Sequence, residues 1–356
     1  MKNKDELTQL RLRIDAIDKQ ILNLLNQRME TAVRTKKYKK SVKDDLREKA
    51  ILEKVGNSGY ALLEKNFSQT IYKSIIEHSC KLQEKNLSTI AFQGVHGAYS
   101  QMAASKWNSS LVSLPCKSFV EIFDGIQKEI YDYGIVPIEN NLGGVVGGIN
   151  ALLLGHDEIK IIGSINFPIE HCLLCTIGTS YRDIKCVYSH YQALAQCSNF
   201  ISDLGLTSHR YYDTAGAAKM ISEKNLDSGA AIASELAGEY YGLQIVKKNI
   251  ENIAHNRTRF IIIGKNKKVE NPNCCSIVFS CKHRVGALGE LIQIFGRNKI
   301  NLTRLESFYP GDGGLKFFAD FQIPDEAEKM DTLFADFAAS QQELKILGKY
   351  KELVEK

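Results

Sequence analysis

The feature that most constrains the fold is a segment of 36 residues, 5–40, that contains neither glycine nor proline. Apolar side chains recur in it at alternating spacings of three and four residues, at Leu7, Leu10, Ile14, Ile17, Ile21 and Leu24. This spacing is typical of a helix with one face packed in a bundle or coiled coil. Two more helices are predicted at about 46–55 and 67–84. An 88-residue unit cannot cover so long a seam alone, so the sequence favours an intertwined all-helical dimer.

Polar and charged side chains interrupt the apolar stripes of these helices. They are Arg28 and Lys39 in the first helix, Asp44 and Glu48 at the second, and Ser79 and Gln83 in the third. A buried charge is costly unless it is paired, so the groups either pair with each other or line a pocket for a charged ligand. Taken together, they favour a pocket. Arg11 lies 17 positions before Arg28, about 100° away round the helix, so it could serve that pocket only from a partner chain.

The runs QLRLRIDAIDKQILNLLNQR, KDDLREKAILE and IIEHSCKLQ resemble the all-helical chorismate mutases over residues 1–85. The resemblance implies a mutase domain at 1–88 that holds chorismate, a dianion, in a reactive shape without any nucleophile. Arginine forks suit its carboxylates, and a cation beside Gln83 suits the ether oxygen. The implied substrate-binding residues are Arg11 of the partner chain, Arg28, Lys39, Asp44, Arg47, Glu48, Ser79 and Gln83, with Lys39 and Gln83 catalytic.

Beyond residue 88 the pattern changes to short apolar runs that alternate with helical stretches. This predicts an α/β body of about 180 residues, weakly divided into two lobes with a cleft. Its informative loops are GVHGAYS, VPIENNLGG, VYSHYQALAQC and NRTRF. The GxGxxG fingerprint is missing from the sequence, which counts against a nicotinamide dehydrogenase. The pair Cys172 and Cys175 is interpreted as buried strand thiols rather than as a zinc site.

In their order along the chain, these loops resemble prephenate dehydratase over residues 89–265. The resemblance implies a domain at 89–266 with a two-lobed fold like periplasmic binding proteins and an active site in the cleft. The catalytic residue would be Thr258, and the other substrate-binding residues would be Glu139, Asn140, Ser189 and Gln196. Prephenate loses CO₂ and its ring hydroxyl, so one proton donor suffices and neither metal nor cofactor is implied. The sequence departs from the family at Tyr191 and Ala193, where prolines are usual.

Residues 274–356 follow the polar linker KNKKVENPN and have the pattern strand, helix, strand, strand, helix, strand. This order predicts an α+β ferredoxin-like module. The run HRVGALGELIQIFGRNKINLTRLES resembles an ACT regulatory domain, which in relatives binds phenylalanine between chains. The implied effector site consists of Gly286, Ala287, Leu288, Asn301, Leu302, Glu306 and Ser307. The Glu-Ser-Arg-Pro box of the family is only half kept, so a dimerisation module without a ligand stays open.

Composition narrows the class of protein further. The chain has 356 residues, 44% of them hydrophobic and 24% charged, which is typical of globular proteins. No apolar run reaches the roughly 18 residues that a membrane helix needs, and the charged N-terminus does not resemble a signal peptide. With nine cysteines, an odd number, we expect reduced thiols and a cytoplasmic location. Residues 1–88 hold 19 Lys and Arg against 12 Asp and Glu, and this basic unit could bind a polyanion.

The three resemblances together predict a multidomain, bifunctional enzyme of phenylalanine biosynthesis. It would convert chorismate to prephenate and then prephenate to phenylpyruvate, with feedback inhibition by phenylalanine. The expected assembly is a homodimer through the mutase helices and the C-terminal domain, without nucleic acid or membrane partners. One alternative fuses the mutase to an arogenate dehydratase. Another is a non-catalytic anion sensor with a nucleic-acid-binding helix, which the placement of the cations among seam positions disfavours.

Overall fold

The structure is a computed structural model that describes residues 2–309, 314–340 and 342–353. Its N-terminal unit has three helices, α1 (Lys2–Thr35), α2 (Asp45–Gly56) and α3 (Lys65–Glu84). The predicted first helix extends to residue 40, whereas α1 ends at Thr35 and a single 3₁₀ turn, Lys36–Tyr38, follows. The segment 34–40 holds five basic residues, and like charges one turn apart disfavour a continued helix.

The apolar seam of α1 is left open within one chain. Its six side chains, from Leu7 to Leu24, are between 47% and 64% exposed. The helix α3 contacts both α1 and α2, but no element of the described residues covers the seam. None of the helices described is long and apolar enough to cross a membrane. The seam is therefore an apolar face without a partner in a single copy of the chain.

The first lobe of the central body is a sheet with helices on both faces. Its elements are β1 (Thr89–Gln93), α4 (Tyr99–Trp107), β2 (Val112–Cys116), α5 (Phe119–Gln127), β3 (Tyr133–Asn140), β4 (Gly144–Val145), α6 (Ile149–Gly155) and β5 (Ile159–Pro168). Strands β1, β2 and β3 pair in parallel, and this is the arrangement expected when helices connect successive strands.

The second lobe has its own five-stranded sheet in the order β10-β6-β9-β7-β8. Its elements are β6 (Cys172–Cys175), β7 (Cys186–Ser189), α7 (Tyr191–Gln196), α8 (Ser198–Asp203), β8 (Thr207–Arg210), α9 (Thr214–Lys224), β9 (Gly229–Ala233), α10 (Glu235–Tyr241) and β10 (Gln244–Lys247). Both Cys172 and Cys175 are buried free thiols of β6, as the sequence predicts.

The chain returns to the first lobe through β11 (Arg257–Lys265), which inserts antiparallel between β3 and β5. Two connections therefore join the lobes, one after β5 and one before β11. The predicted α/β body with two lobes is confirmed. Thr258 is the second residue of β11, so it lies where the chain has just crossed from the second lobe into the first.

The C-terminal module has the predicted element order. It comprises β12 (Cys274–Ser280), α11 (Ala287–Arg297), β13 (Leu302–Phe308), β14 (Lys316–Gln322), α12 (Ala327–Ala339) and β15 (Leu344–Leu353). The antiparallel order β13-β14-β12-β15 is that of a ferredoxin-like sheet, which confirms this prediction. The helices pack on one face of the sheet, over a core that includes Ile277, Phe295 and Phe337.

The module is not loosely tethered to the body. The end of β15 pairs in parallel with β5, so the module's sheet continues into the sheet of the first lobe. Its face away from α11 and α12 buries Val278 and Tyr350 in the same core as Val136 and Ile149 of the lobe. The linker 266–273 separates two units in sequence that share one hydrophobic core in space.

Candidate active sites

A cleft of about 460 Å³ opens between the two lobes of the central body. Residues of both lobes line it, and three of them, Asn140, Gln196 and Thr258, belong to the predicted site. The cleft also exposes Asp213 and His190, to which the sequence analysis gave no catalytic role. The structure thus brings together three residues that lie far apart in the sequence.

Thr258 lies on β11 directly opposite Asn140 of β3 and Phe167 of β5. Only 9% of the residue is exposed. Its Oγ1 accepts a hydrogen bond from Asn140 Nδ2 at 2.9 Å. Because a hydroxyl has one donor and two acceptor sites, this bond leaves the hydroxyl hydrogen of Thr258 free to donate into the cleft.

The side chain of Asn140 also fixes the glycine-rich turn that follows β3. Its Oδ1 accepts from the backbone N–H groups of Leu142 and Gly143 at 3.0 and 2.7 Å. Its Nδ2 lies 2.8 Å from Asn256 Oδ1 as well. The orientation of this amide is therefore determined from several sides, and with it the direction of the bond to Thr258.

A second row of polar groups runs along the wall of the cleft from Gln196. The Oε1 of Gln196 lies 3.1 Å from Asn256 Nδ2 and 2.9 Å from His171 Nε2. The other ring nitrogen of His171 is 2.8 Å from the Tyr99 hydroxyl. Burial lowers the pKa of His171 below its ordinary value, so the ring is neutral at pH 7. The sequence analysis missed Asn256, His171 and Tyr99, and the adjacency of Asn256 to the TRF run was the available signal.

Asp213 caps the N-terminus of α9, where its Oδ1 accepts from the backbone N–H of Ala215 at 3.1 Å. Its Oδ2 is buried and, within the described part of the chain, has no hydrogen-bond partner. Burial raises the pKa of this carboxyl above its ordinary value. An aspartate directly before a helix is typical of a helix cap, so its position in the sequence gives no sign of the cleft. The structure adds a half-buried acid to the lining of the cleft.

The structure places Ser189 outside the cleft lining, which differs from the expectation. The residue is fully buried at the end of β7, and its Oγ donates to the carbonyl of Ile232 at 2.5 Å. Its hydroxyl is thus used within the sheet of the second lobe. The neighbouring His190 is the residue of this loop that lines the cleft.

Glu139 also points away from the cleft. Successive side chains of a strand face opposite sides, and Asn140 takes the side of the cleft. The Oε2 of Glu139 lies 2.8 Å from Arg304 Nε in the C-terminal module. In the structure Glu139 thus takes part in a contact between domains and does not line the cleft.

A second pocket, of about 570 Å³, lies beside α1, α2 and α3, and both Arg28 and Arg47 line it. Arg28 Nη1 donates to Ser79 Oγ at 2.5 Å. The buried Gln83 donates to Thr35 Oγ1 at 2.9 Å. Two positively charged forks at one pocket suit a ligand with two carboxylates.

The other predicted mutase residues are not among those that line this pocket. Asp44 caps α2 by accepting from the backbone N–H of Arg47 at 3.0 Å. Glu48 Oε1 lies 3.8 Å from Cys80 Sγ, and Lys39 is exposed. Arg11 is also exposed, and at about 1.5 Å per residue it lies roughly 25 Å along α1 from Arg28. One chain therefore cannot bring Arg11 and Arg28 to the same ligand.

The predicted effector residues fall into two groups. Gly286, with φ of 83°, caps α11, and Ala287 and Leu288 begin that helix. Asn301 and Leu302 lie at the start of β13 beside the same helix-bearing face. These positions form the first group.

The second group is Glu306 with Ser307. Glu306 bonds with Arg304 and accepts from Asn150 Nδ2 of the first lobe at 3.1 Å, whereas Ser307 is exposed. The predicted site is therefore divided. Glu306 takes part in the contact with the body and does not face the start of α11.

A buried ion pair reinforces this contact next to Thr258. Arg259 Nη1 lies 2.5 Å from Asp320 Oδ2, and its Nη2 donates to the Tyr350 hydroxyl at 2.8 Å. The two charged side chains are 12% and 3% exposed. Removing one partner of such a pair costs about 3–5 kcal/mol, because the other charge stays buried. The strand that carries Thr258 is thus tied to the module.

Comparison with known proteins agrees with this division into domains. The family model for prephenate dehydratase matches residues 90–268, and that for chorismate mutase type II matches residues 10–84. The fold and the cleft thus define a prephenate dehydratase body fused to a mutase unit. The chain belongs to the family of bifunctional chorismate mutase/prephenate dehydratases, and the resemblance found in the sequence is confirmed.

The relatives support that assignment over different lengths. The bifunctional chorismate mutase/prephenate dehydratase of Buchnera aphidicola subsp. Schizaphis graminum is 31% identical over 98% of this chain and 97% of its own. The arogenate dehydratase/prephenate dehydratase 2 of Arabidopsis thaliana is 38% identical over 73% of this chain and 72% of its own. Prephenate dehydratase from Arthrobacter aurescens in complex with L-Phe has a TM-score of 0.68 at 25% identity, covering 74% of this chain and 89% of that one.

Proposed function

We propose that the two reactions of this family divide between the helical pocket and the cleft between the lobes. The pocket rearranges chorismate to prephenate, and the cleft removes water and CO₂ from prephenate to give phenylpyruvate. The observation that carries the proposal is the Asn140–Thr258 hydrogen bond, in which Thr258 accepts, so that its hydroxyl hydrogen remains available at the cleft. The arginine-lined pocket supplies the matching observation for the first reaction.

At the helical pocket, catalysis is a matter of positioning. Arg28 and Arg47, together with Arg11 of the partner chain, bind the two carboxylates of chorismate and hold the ring and side chain close together. Lys39 and Gln83 stabilise the negative charge that develops on the ether oxygen as its bond breaks. The amide of Gln83 exchanges its contact with α1 for the ether oxygen when the substrate enters. No covalent intermediate is formed.

The mutase unit acts as a homodimer. Six apolar side chains of α1 are about half exposed in a single copy. Because each is already about half buried, covering the rest stabilises an interface by about 0.8–1.5 kcal/mol per side chain, before the entropic cost of association. Packing of two copies along α1 also brings Arg11 of one chain to the pocket of the other. A dimer therefore explains both the exposed seam and the separation of roughly 25 Å along α1 between Arg11 and Arg28.

In the cleft, Thr258 donates its proton to the ring hydroxyl of prephenate and takes a proton back from solvent water, so that its own hydroxyl is restored. The carbon–oxygen bond breaks with loss of water, and the carbon–carbon bond to the carboxylate breaks with loss of CO₂. The electrons of that second bond complete the aromatic ring, which drives the reaction. Asn140 keeps the Thr258 oxygen oriented so that the donated proton points at the substrate.

Prephenate is the substrate of the cleft, because the mutase of the same chain produces it. Arogenate carries an amino group where prephenate has a keto group, and the name of the Arabidopsis relative includes both substrates. Comparing kcat/KM for the two compounds tests this choice. A ratio above about 10 in favour of prephenate corresponds to about 1.4 kcal/mol of transition-state discrimination.

The C-terminal module acts as an ACT-type regulatory domain that binds phenylalanine and contributes to the dimer. The related Arthrobacter enzyme was solved with L-Phe. The turn at Gly286 opens α11, where free backbone N–H groups can hold a carboxylate. Leu302 and the partner chain supply apolar contacts to the phenyl ring.

The decisive test follows product formation from two starting compounds. Wild-type protein given chorismate should release phenylpyruvate, which ultraviolet absorbance detects. Arg28→Ala should lose conversion of chorismate by at least about 30-fold, since a desolvated charged contact is lost, yet keep conversion of supplied prephenate. Near-normal mutase activity in this variant would contradict the assignment of the pocket. An inactive wild type would favour the anion sensor.

A further inference from the structure

The helix α1 carries a polar stripe on the side opposite its apolar seam. The stripe consists of Lys19, Asn23, Asn26, Glu30 and Arg34, spaced by three or four residues. At 100° per residue, its mean direction is roughly 170° from that of the seam. Glu30 in particular lies about 160° round the helix from Arg28, so it faces away from the mutase pocket.

The polar stripe contacts both lobes of the dehydratase body. Asn23 Nδ2 donates to the carbonyl of Tyr240 in α10 at 3.2 Å, and Asn26 Nδ2 lies 3.3 Å from the hydroxyl of the same tyrosine. Arg34 donates to the carbonyl of Pro115 in the first lobe. One mutase helix therefore bridges the two lobes from outside the cleft.

The centre of this contact is the pair of Glu30 with His96. Glu30 Oε1 lies 2.6 Å from His96 Nε2, and the residues are 8% and 5% exposed. The ring of His96 stacks on Tyr240, with centroids 4.6 Å apart, and meets the edge of Phe92. Asn26 donates a further hydrogen bond to Glu30 at 2.5 Å. The histidine is thus held by a strand of the first lobe, a helix of the second lobe and α1.

His96 belongs to the loop Gly94–Gly97, which leads from β1 to α4. Cleft-lining residues flank this loop on both sides, Gln93 before it and Ala98 after it. The carbonyl of Gly97 accepts from Ser234 Oγ at 2.6 Å. A Cβ at Gly97, whose φ is 86°, would lie 2.5 Å from Ala237 Cα. The loop therefore fits tightly against the start of α10 in the second lobe.

We propose that Glu30 is a positioning residue of the dehydratase, which acts through His96 to fix the Gly94–Gly97 loop and the spacing of the two lobes. A residue of the mutase helix thereby supports the geometry of the second reaction. The proposal rests on the dehydratase activity assigned to the cleft. Its physical reason is that the loop, the two lobes and α1 meet at one buried side chain.

The test uses full-length variants assayed with supplied prephenate. Glu30→Ala should lower the dehydratase kcat at least about fivefold, because a small displacement of cleft residues is costly in rate. Glu30→Gln keeps an acceptor for His96 and should recover most of that loss. Asn23→Ala is the matched control, since Asn23 lies on the same stripe but bonds only a backbone carbonyl, and its kcat should stay near wild type.

Three further measurements distinguish a positioning role of Glu30 in the dehydratase from a role that only holds α1 against the body. The mutase kcat of Glu30→Ala should remain within about twofold of wild type, which also verifies folding. A His96→Gln change should cause little further loss in the Glu30→Ala background if the two residues act as a unit. A lower thermal midpoint with normal kcat in Glu30→Ala, or an equal loss of kcat in Asn23→Ala, would overturn the proposal. Wild-type protein without dehydratase activity would instead refute the function of the cleft.

Discussion

Glu139 Oε2 lies 2.8 Å from Arg304 Nε, so the end of β3 is held by the C-terminal module. The next residue, Asn140, faces the opposite way and bonds with Thr258 in the cleft. Arg304 also pairs with Glu306, and its side chain is only 6% exposed. A movement of the module can therefore reach Thr258, the proposed proton donor, through a single strand end.

We expect the Glu139–Arg304 contact to act as a coupled pair. Arg304→Met keeps most of the apolar stem and leaves the carboxylates unpaired, so it should reduce both stability and dehydratase kcat. Glu139→Gln should reduce them less, because this carboxylate is 39% exposed. In a double-mutant cycle from denaturant unfolding, the coupling should be about 0.5–2 kcal/mol. Strictly additive changes would show that the two residues act separately.

The sequence predicted the secondary structure better than it predicted the direction of side chains. Glu139 and Asn140 are the last two residues of β3, and the sequence analysis names both as substrate-binding residues. Successive side chains of a strand face opposite sides, but the sequence does not show which side is the cleft. The pairing of β3 with β11 is also irregular between Arg259 and Phe260. The same uncertainty applied to Ser189, whose neighbour His190 reaches the cleft.

Contacts between domains left no periodic signal in the sequence. The seam of α1 could be recognised because apolar residues recur along it. The polar stripe could not, because Asn26 and Glu30 look like an ordinary solvated face until their distant partners are known. The core shared by the body and the module could not be predicted either. A polar linker separates the two units along the chain, and only tertiary packing brings them together.

Thr258→Val should stop the dehydratase while leaving the mutase unchanged. Valine keeps the shape of threonine and removes the hydroxyl, so kcat on prephenate should fall by at least about 100-fold. Thr258→Ser is the control, because it restores a hydroxyl and should retain most of the activity. Ready conversion of prephenate by a folded Thr258→Val protein would place the proton donor elsewhere.

Asp213→Asn should make the protein more stable. Burial raises the pKa of Asp213, so the folded state disfavours its charged form. Above the pKa of the unfolded state, ionised Asp213 therefore costs stability, and this cost disappears as the pH falls. Asparagine keeps the cap to Ala215 without the charge, so the thermal midpoint at pH 7 should rise by roughly 1–3 °C.

The comparison at two pH values identifies the cause of that change. The gain from Asp213→Asn should shrink between pH 7 and pH 4, because the wild-type carboxyl becomes neutral as the pH falls. His171 acts in the opposite direction, since its lowered pKa removes stability from both proteins below about pH 6.5. A midpoint that falls in Asp213→Asn at pH 7 would show that the charge is stabilised in the cleft.

Mixing two inactive variants should restore mutase activity. If Arg11 serves the pocket of the partner, an Arg11→Ala chain and an Arg28→Ala chain form a mixed dimer with one intact site. Random exchange of equal amounts gives half mixed dimers, so about a quarter of the wild-type activity should return. Native mass spectrometry verifies the exchange. No recovery after complete exchange would place Arg11 outside a shared site.

Phenylalanine binding and inhibition should be separable in this chain. Binding depends on the turn at Gly286, where φ of 83° favours glycine, so Gly286→Val should weaken binding measured by calorimetry. Inhibition depends on transmission from the module to the cleft, and Glu306 contacts Asn150 of the first lobe at 3.1 Å. Glu306→Gln should therefore bind phenylalanine with nearly normal affinity while its dehydratase is inhibited less.

The reason for this separation is that an effector regulates only as far as it favours one state over another. The Arg304, Glu306 and Glu139 contacts connect the module to the strand of Asn140, so weakening them removes the differential effect and leaves the binding site intact. Wild-type protein serves as the control in both assays. Absence of binding at millimolar phenylalanine would leave the module as a dimerisation domain, and unchanged inhibition in Glu306→Gln would place the route of coupling elsewhere.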